Sequence, residues 1–123
     1  MISRVYFCLL LAFPCAVFAD TIDETEIVYL LDLVAASDCI FVRNGDEHSA
    51  ADAADHLRLK YGRGKSHVDS AEGFIDFLAT ESSWSGEPYT IICDGVSQPS
   101  AQWLHRALSD YRQQALPEPV QSR

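Results

Sequence analysis

Histidine, aspartate and histidine stand four residues apart at His48, Asp52 and His56. On one helix these side chains are neighbours along a single face. Adjacent members could share a zinc ion, whose ligands lie about 2.0–2.2 Å away, and so serve a metal-assisted hydrolase. All three cannot do so easily, because eight helical residues span about 12 Å. A further ligand has to come from elsewhere, and His67 lies beyond the turn at Gly62 and Gly64. The plainer reading is a solvated face whose acids and imidazoles pair weakly, about 0.2–0.5 kcal/mol per pair, and it is preferred.

A second set surrounds the turn before that face. Arg43 adjoins Asn44-Gly45 and the start of the helical pattern, where backbone N–H groups could join it in holding an anion. Its alternative role is a structural guanidinium tied to Asp46, Glu87 or a carbonyl. His48 with Ser83 or Ser85 could form a base and nucleophile, but no G-x-S-x-G elbow or oxyanion hole marks the chain. Serines in the Gly-Pro loop are ordinary turn formers. Gly62-Arg63-Gly64-Lys65-Ser66 imitates a phosphate-binding loop, yet Leu59 stands where the first Gly is required and a helix precedes it. It reads as a helix stop. Trp84 serves equally as a surface aromatic or a core plug.

These residues need elements to hold them. Asp20 to Ala36 carries Ile27, Leu30, Leu31 and Val34 at helical spacing, with acids in the first turns. Cys39 to Val42 is a short strand. Asn44 or Asp46 caps the next helix, whose inner stripe is Ala50, Ala53, Ala54, Leu57 and Tyr61. Asp69 or Ser70 starts a third helix, with Ala71, Phe74, Ile75 and Leu78 inward. Tyr89 to Cys93 alternates like a strand and turns at Asp94-Gly95. A last helix opens near Pro99 or Ser100 and buries Trp103, Leu104, Ala107, Leu108 and Tyr111. The expected fold is α+β and mostly helical, in the order α-β-α-α-β-α. It has about four helices, one short two-stranded antiparallel ribbon and no internal repeat.

Residues 1–19 read as a secretory signal: Arg4, an apolar run from Val5 to Val17, and cleavage after Ala19. The run is shorter than the roughly 20 residues a membrane span needs. Residues 20–115 then form one small domain and 116–123 a disordered tail. Cleavage removes Arg4 and no acid, so eight basic residues face 18 acidic ones, a net charge of −10. That balance argues against nucleic acid and anionic membranes. It also leaves two cysteines, Cys39 and Cys93, and an oxidising compartment pairs them. The bridge closes a loop worth roughly 4 kcal/mol. Antiparallel pairing in that register sets Arg43 opposite Tyr89 and brings two distant loops to one corner.

The residues Cys39-Ile-Phe-Val-Arg43-Asn44-Gly45, His48, Ala54, His56-Leu57 and Lys60 form a recognisable pattern. Ser70-Ala71-Glu72-x-Phe74-Ile75, Ser82-Ser83-x-Ser85-Gly86-x-Pro88-Tyr89 and Trp103-Leu104 continue it. The chain resembles the YfeK-like family of small exported bacterial proteins over residues 22 to 112. The resemblance implies a signal peptide, a periplasmic location and a small domain, without an activity or ligand. The sequence reading is therefore a monomeric periplasmic binding or accessory module of the cell envelope. Its candidate corner is Arg43, Asn44, His48, Ser85 and Tyr89, and its partner an envelope protein or small ligand. No motif calls for a cofactor. The competing readings are the hydrolase above and an inhibitor of a cell-wall enzyme.

Overall fold

The computed structural model describes residues 22–116 together with position 12. The expected signal peptide otherwise lies outside the described residues, as do positions 117–123 of the expected tail. The elements are α1 (Ile22–Ala36), β1 (Ile40–Arg43), β2 (Asp46–His48), α2 (Ala50–Gly64), a 3₁₀ turn (Lys65–His67), α3 (Ala71–Leu78), β3 (Thr90–Cys93), β4 (Val96–Pro99) and α4 (Ser100–Ala115). The protein is α+β and mostly helical, but its sheet has four strands rather than two. Each expected strand is one arm of a hairpin.

The turns explain the difference. Asn44 and Gly45 have φ of 51° and 80°, and Asp94 and Gly95 have 50° and 79°. Positive φ at both central residues is the signature of a type I′ turn, whose twist matches that of paired strands. Asn44-Gly45 therefore reverses a strand instead of opening a helix. Helix α2 begins after Ser49, whose hydroxyl accepts from the Asp52 amide at 3.1 Å. His48 consequently belongs to β2, and the expected helical run of His48, Asp52 and His56 is broken at its first member. The second arm was illegible because Asp46, Glu47 and His48 carry no apolar alternation, as suits an edge strand.

The four strands run antiparallel in the order β2-β1-β3-β4. The central pairing is Ile40 with Ile92, Phe41 with Ile91, and Val42 with Thr90. Shifting one strand forward by fifty positions and the other back exchanges the outer two pairs and leaves the middle one in place. Burial along Phe41–Ala50 is identical, position by position, to burial along Ile91–Ser100. The chain is thus two α-β-β-α halves about a pseudo-twofold axis between Phe41 and Ile91, contrary to the expectation of no repeat. Between residues 40–61 and 90–111, only Gly45/Gly95, Ala51/Ala101 and Tyr61/Tyr111 are identical. Burial and turn geometry survive such divergence because they depend on residue class more than identity.

The core lies between the helices and the inner face of β1 and β3. Ile27, Leu30, Leu31 and Val34 of α1 are all at most 5% exposed. Ala50, Ala53, Ala54 and Leu57 of α2 join them, with Phe74, Ile75, Ile91, Leu104 and Leu108. Trp103, Ala107, Tyr111, Tyr61 and Leu78 are only half-buried. Ser70 caps α3 by accepting from the Gly73 amide at 2.9 Å. Among the described residues one charged side chain is buried in the core: Glu26, 3% exposed, receives Arg112 of α4 at 2.6 and 2.9 Å. Arg112 also pairs with Glu72, so a single guanidinium ties α1, α3 and α4 together. Both carboxylates hold the Arg112 pKa far above its usual value.

Candidate functional site

Side chains alternate across a strand, so Cys39, Phe41 and Arg43 face one side of the sheet, with Tyr89, Ile91 and Cys93 opposite them. Cys39 and Cys93 are bridged across a Cα separation of 4.7 Å. Extending the central register by one step the other way sets Arg43 beside Tyr89. The pseudo-twofold axis therefore relates the disulfide to the Arg43–Tyr89 pair. One end of the central ribbon is stapled covalently and the other carries polar chemistry.

The halves differ most in the segment before the hairpin. Three residues join α1 to β1, whereas residues 79–89 join α3 to β3. That longer loop is closed by the Tyr89 amide donating to the Thr80 carbonyl at 2.9 Å and Ser82 to Glu87 at 2.9 Å. Ser82 Oγ, buried, accepts from the amides of Trp84 and Ser85 and from Asn44 Nδ2, each at 3.3 Å. Ser85 Oγ donates to Asn44 Oδ1. The inserted loop is thereby sewn to the first hairpin turn.

Under this corner lies a cleft of about 510 Å³ lined by Arg43, Asn44, His56, Lys60, Arg63, Ser82, Ser83, Trp84 and Tyr89 among others. Arg43 NH1 stands 2.8 Å from His56 Nδ1 and 3.0 Å from Nε2. The Tyr89 hydroxyl is 3.3 Å from His56 Nε2 and 3.2 Å from Lys60 Nζ, which also donates to the Glu81 carbonyl at 3.1 Å. With Nδ1 accepting from the nearby guanidinium, Nε2–H and Lys60 both donate to the Tyr89 oxygen. The phenolic proton is then free to donate in turn. Burial, then Arg43, Lys60 and His48, hold the His56 pKa below 6.5. Burial also lowers Lys60, opposed by Glu81 and reinforced by Arg43, and raises Tyr89.

Among the described residues, Arg58, Lys65 and Arg112 make ion pairs, and Arg43, Lys60, Arg63 and Arg106 make none; the first three of these four line the cleft. Glu81 attracts Lys60 without forming an ion pair, and no carboxylate lines the cleft. A chain with 18 acidic and 9 basic residues thus gathers three unpaired cations in one concavity. Trp84, 91% exposed, stands at its rim.

A second cavity of about 170 Å³ shares Arg43, His56 and Tyr89 with the cleft. Its remaining lining is largely apolar, including Phe41, Ala53, Leu57, Ala79 and Leu104. His48, Asp52 and Ser100 complete it. Of these lining residues, His48 Nε2 and Ser100 Oγ are buried without a hydrogen-bond partner.

Of the candidate corner, Arg43 and Tyr89 meet through His56. Asn44 and Ser85 bind each other, and His48 faces the inner cavity. The structural alternative for Arg43 was a tie to Asp46, Glu87 or a carbonyl; its hydrogen-bond partner is His56 instead. His48, Asp52 and His56 line one cavity from two elements. No group of three or more His, Cys, Asp or Glu among the described residues is arranged to hold a metal. His56, with a guanidinium against its ring, is a poor ligand for a cation. Sequence reasoning missed Lys60, Arg63 and Ser100. The i, i+4 spacing of His56 and Lys60 was the available signal, but the basic residues near the end of α2 also suit the helix dipole.

The chain is 43% identical over 82 residues to the "Uncharacterized protein YfeK" of Salmonella typhimurium strain LT2, covering 66% of this chain and 68% of that one. No solved structure matches. A family profile described as a family of unknown function spans residues 21–112, and the protein belongs to that family, DUF5329.

Proposed function

We propose that the protein is a small binding module that captures an anion in the cleft of Arg43, Lys60 and Arg63. The observation that carries this reading is the convergence of three cations without carboxylate partners in a strongly acidic chain. Unpaired like charges disfavour the compact state, so their retention in one concavity fits a ligand that supplies the missing charge. The groups presented are donors: guanidinium, ammonium and phenol. Charge-assisted bonds from such groups are the strong ones, and an arginine fork suits a planar oxyanion. Sulfate titration at constant ionic strength, followed by amide NMR shifts, tests the reading. Saturable shifts at Arg43, Lys60 and Tyr89, lost in Lys60→Met, are expected. No saturable response by about 10 mM sulfate, an affinity below about 3 kcal/mol, would overturn it.

The same reading places the module in the periplasm after signal cleavage. The residue pattern of positions 1–19 and the Cys39–Cys93 bridge support export, since disulfides persist in oxidising compartments. Among the described residues no helix is long and apolar enough to cross a membrane. Mass spectrometry of the periplasmic fraction should find a mature chain beginning at Asp20. An intact chain starting at Met1 in the membrane fraction would refute cleavage.

A further inference from the structure

We infer that the captured anion is organic: its charged head lies against Arg43 and Lys60, and a ring-sized apolar body ending in a hydroxyl fills the inner cavity. This rests on the anion-binding reading and adds the chemistry of the ligand's other end. The inner cavity measures about 170 Å³ and abuts the cleft at Arg43, His56 and Tyr89. An apolar cavity of roughly 150 Å³ accepts a benzene-sized guest. Phe41, Ala53, Leu57, Ala79 and Leu104 supply such a lining.

Two further observations orient the guest. Asp52 lines the inner cavity and no acid lines the cleft, so a negative head is repelled from the first and drawn to the second. Ser100, 2% exposed, lines the cavity and its buried hydroxyl has no hydrogen-bond partner, and neither has the buried Nε2 atom of His48, another lining residue. Buried polar atoms are ordinarily satisfied, so two orphans in one cavity mark a missing polar group. A hydroxyl at the end of the guest suits either atom, because it both donates and accepts.

The test compares acetate, phenylacetate and 4-hydroxyphenylacetate as probes on the oxidised mature protein, with sulfate as the head-only reference, by NMR titration. Phenylacetate should bind at least about tenfold tighter than acetate, the increment that burying a ring brings. The hydroxyl should tighten it further. Ala53→Leu should reduce phenylacetate to the level of acetate and leave sulfate unchanged. Should that variant fail to fold, ring-proton NOEs to the Ala79 and Leu104 methyls of the native protein provide the same evidence. Equal affinity for acetate and phenylacetate would overturn the organic ligand while leaving anion capture intact. Equal affinity for the two aromatic acids would overturn the hydroxyl assignment. Failure of all four probes, sulfate included, would instead defeat the anion reading beneath it.

Discussion

Replacing Arg43 by Met should leave the fold nearly as stable as before, although Arg43 is half-buried and hydrogen-bonded. The contacts Lys60–Tyr89 at 3.2 Å, Tyr89–His56 at 3.3 Å and His56–Arg43 at 3.0 Å keep the two cationic heads within about 10 Å. At that range two unit charges repel by roughly 2 kcal/mol with an effective dielectric constant of about 20. Screening by solvent and salt brings this to about 1 kcal/mol. The substitution gives up a hydrogen bond to His56 worth about 1 kcal/mol. The two effects nearly cancel, so urea denaturation near neutral pH should place the variant within about 1 kcal/mol of the native protein. In thermal terms the shift stays within about 4–8 °C. The second half of the assay repeats the melt in sulfate. A ligand at a hundred times its Kd stabilises by about 2.7 kcal/mol, and the variant should lose most of that increment. A loss of about 3 kcal/mol or more in plain buffer, the size seen when a buried ion pair is broken, would refute the reasoning and make Arg43 structural.

Three other outcomes follow from the geometry. His56 has a folded pKa below its ordinary 6.5, so below that pH the unfolded chain binds more protons than the folded one. Its contribution to stability is present above pH 6.5 and lost as pH falls towards the folded value. Arg43→Met should narrow that window, and sulfate affinity should rise as pH falls through it; an NMR titration of His56 at or above 6.5 in the free protein would contradict both. Replacing both Cys39 and Cys93 by Ser should lower stability by about 4 kcal/mol in urea unfolding, from loop closure across a separation of 54 residues. Arg112→Met should cost about 2–3 kcal/mol, towards the low end for a buried pair because the Arg112 side chain is 44% exposed. Adding Glu26→Gln should restore part of that loss in a double-mutant cycle, and full additivity would argue against coupling of the two side chains.

The helices were legible because their signals are local. Ile27, Leu30, Leu31 and Val34 repeat at the helical period, and that stripe is the buried face of α1. Ser70 and the Asp94-Gly95 turn were legible for the same reason. The polar edge strand Asp46–His48 was not, since hydrogen bonding to β1 stabilises it and its side chains carry no periodic pattern. Mistaking that arm for helix moved His48 onto the wrong element. The same error concealed the repeat, because recognising two hairpins is what reveals two halves.

The site was half legible. With residues 1–19 set aside as an expected signal, cysteine arithmetic left one pairing, and the disulfide fixes the strand register that brings Arg43 to Tyr89. Covalent and local constraints are thus written in the chain: the helix stripes, the glycine turns, the bridge and the acidic balance. Which cations would lack partners was decided by packing, because an ion pair depends on distances between elements remote in sequence. Lys65 at the end of α2 meets Glu24, whereas Lys60, five residues earlier, faces Tyr89 and the Glu81 carbonyl. The cavity that orphans His48 Nε2 and Ser100 Oγ likewise exists only where β2, α2 and the start of α4 close on the core. Tertiary packing, by keeping carboxylates out of one cleft and gathering apolar side chains around the cavity beside it, made a candidate site from residues remote in sequence.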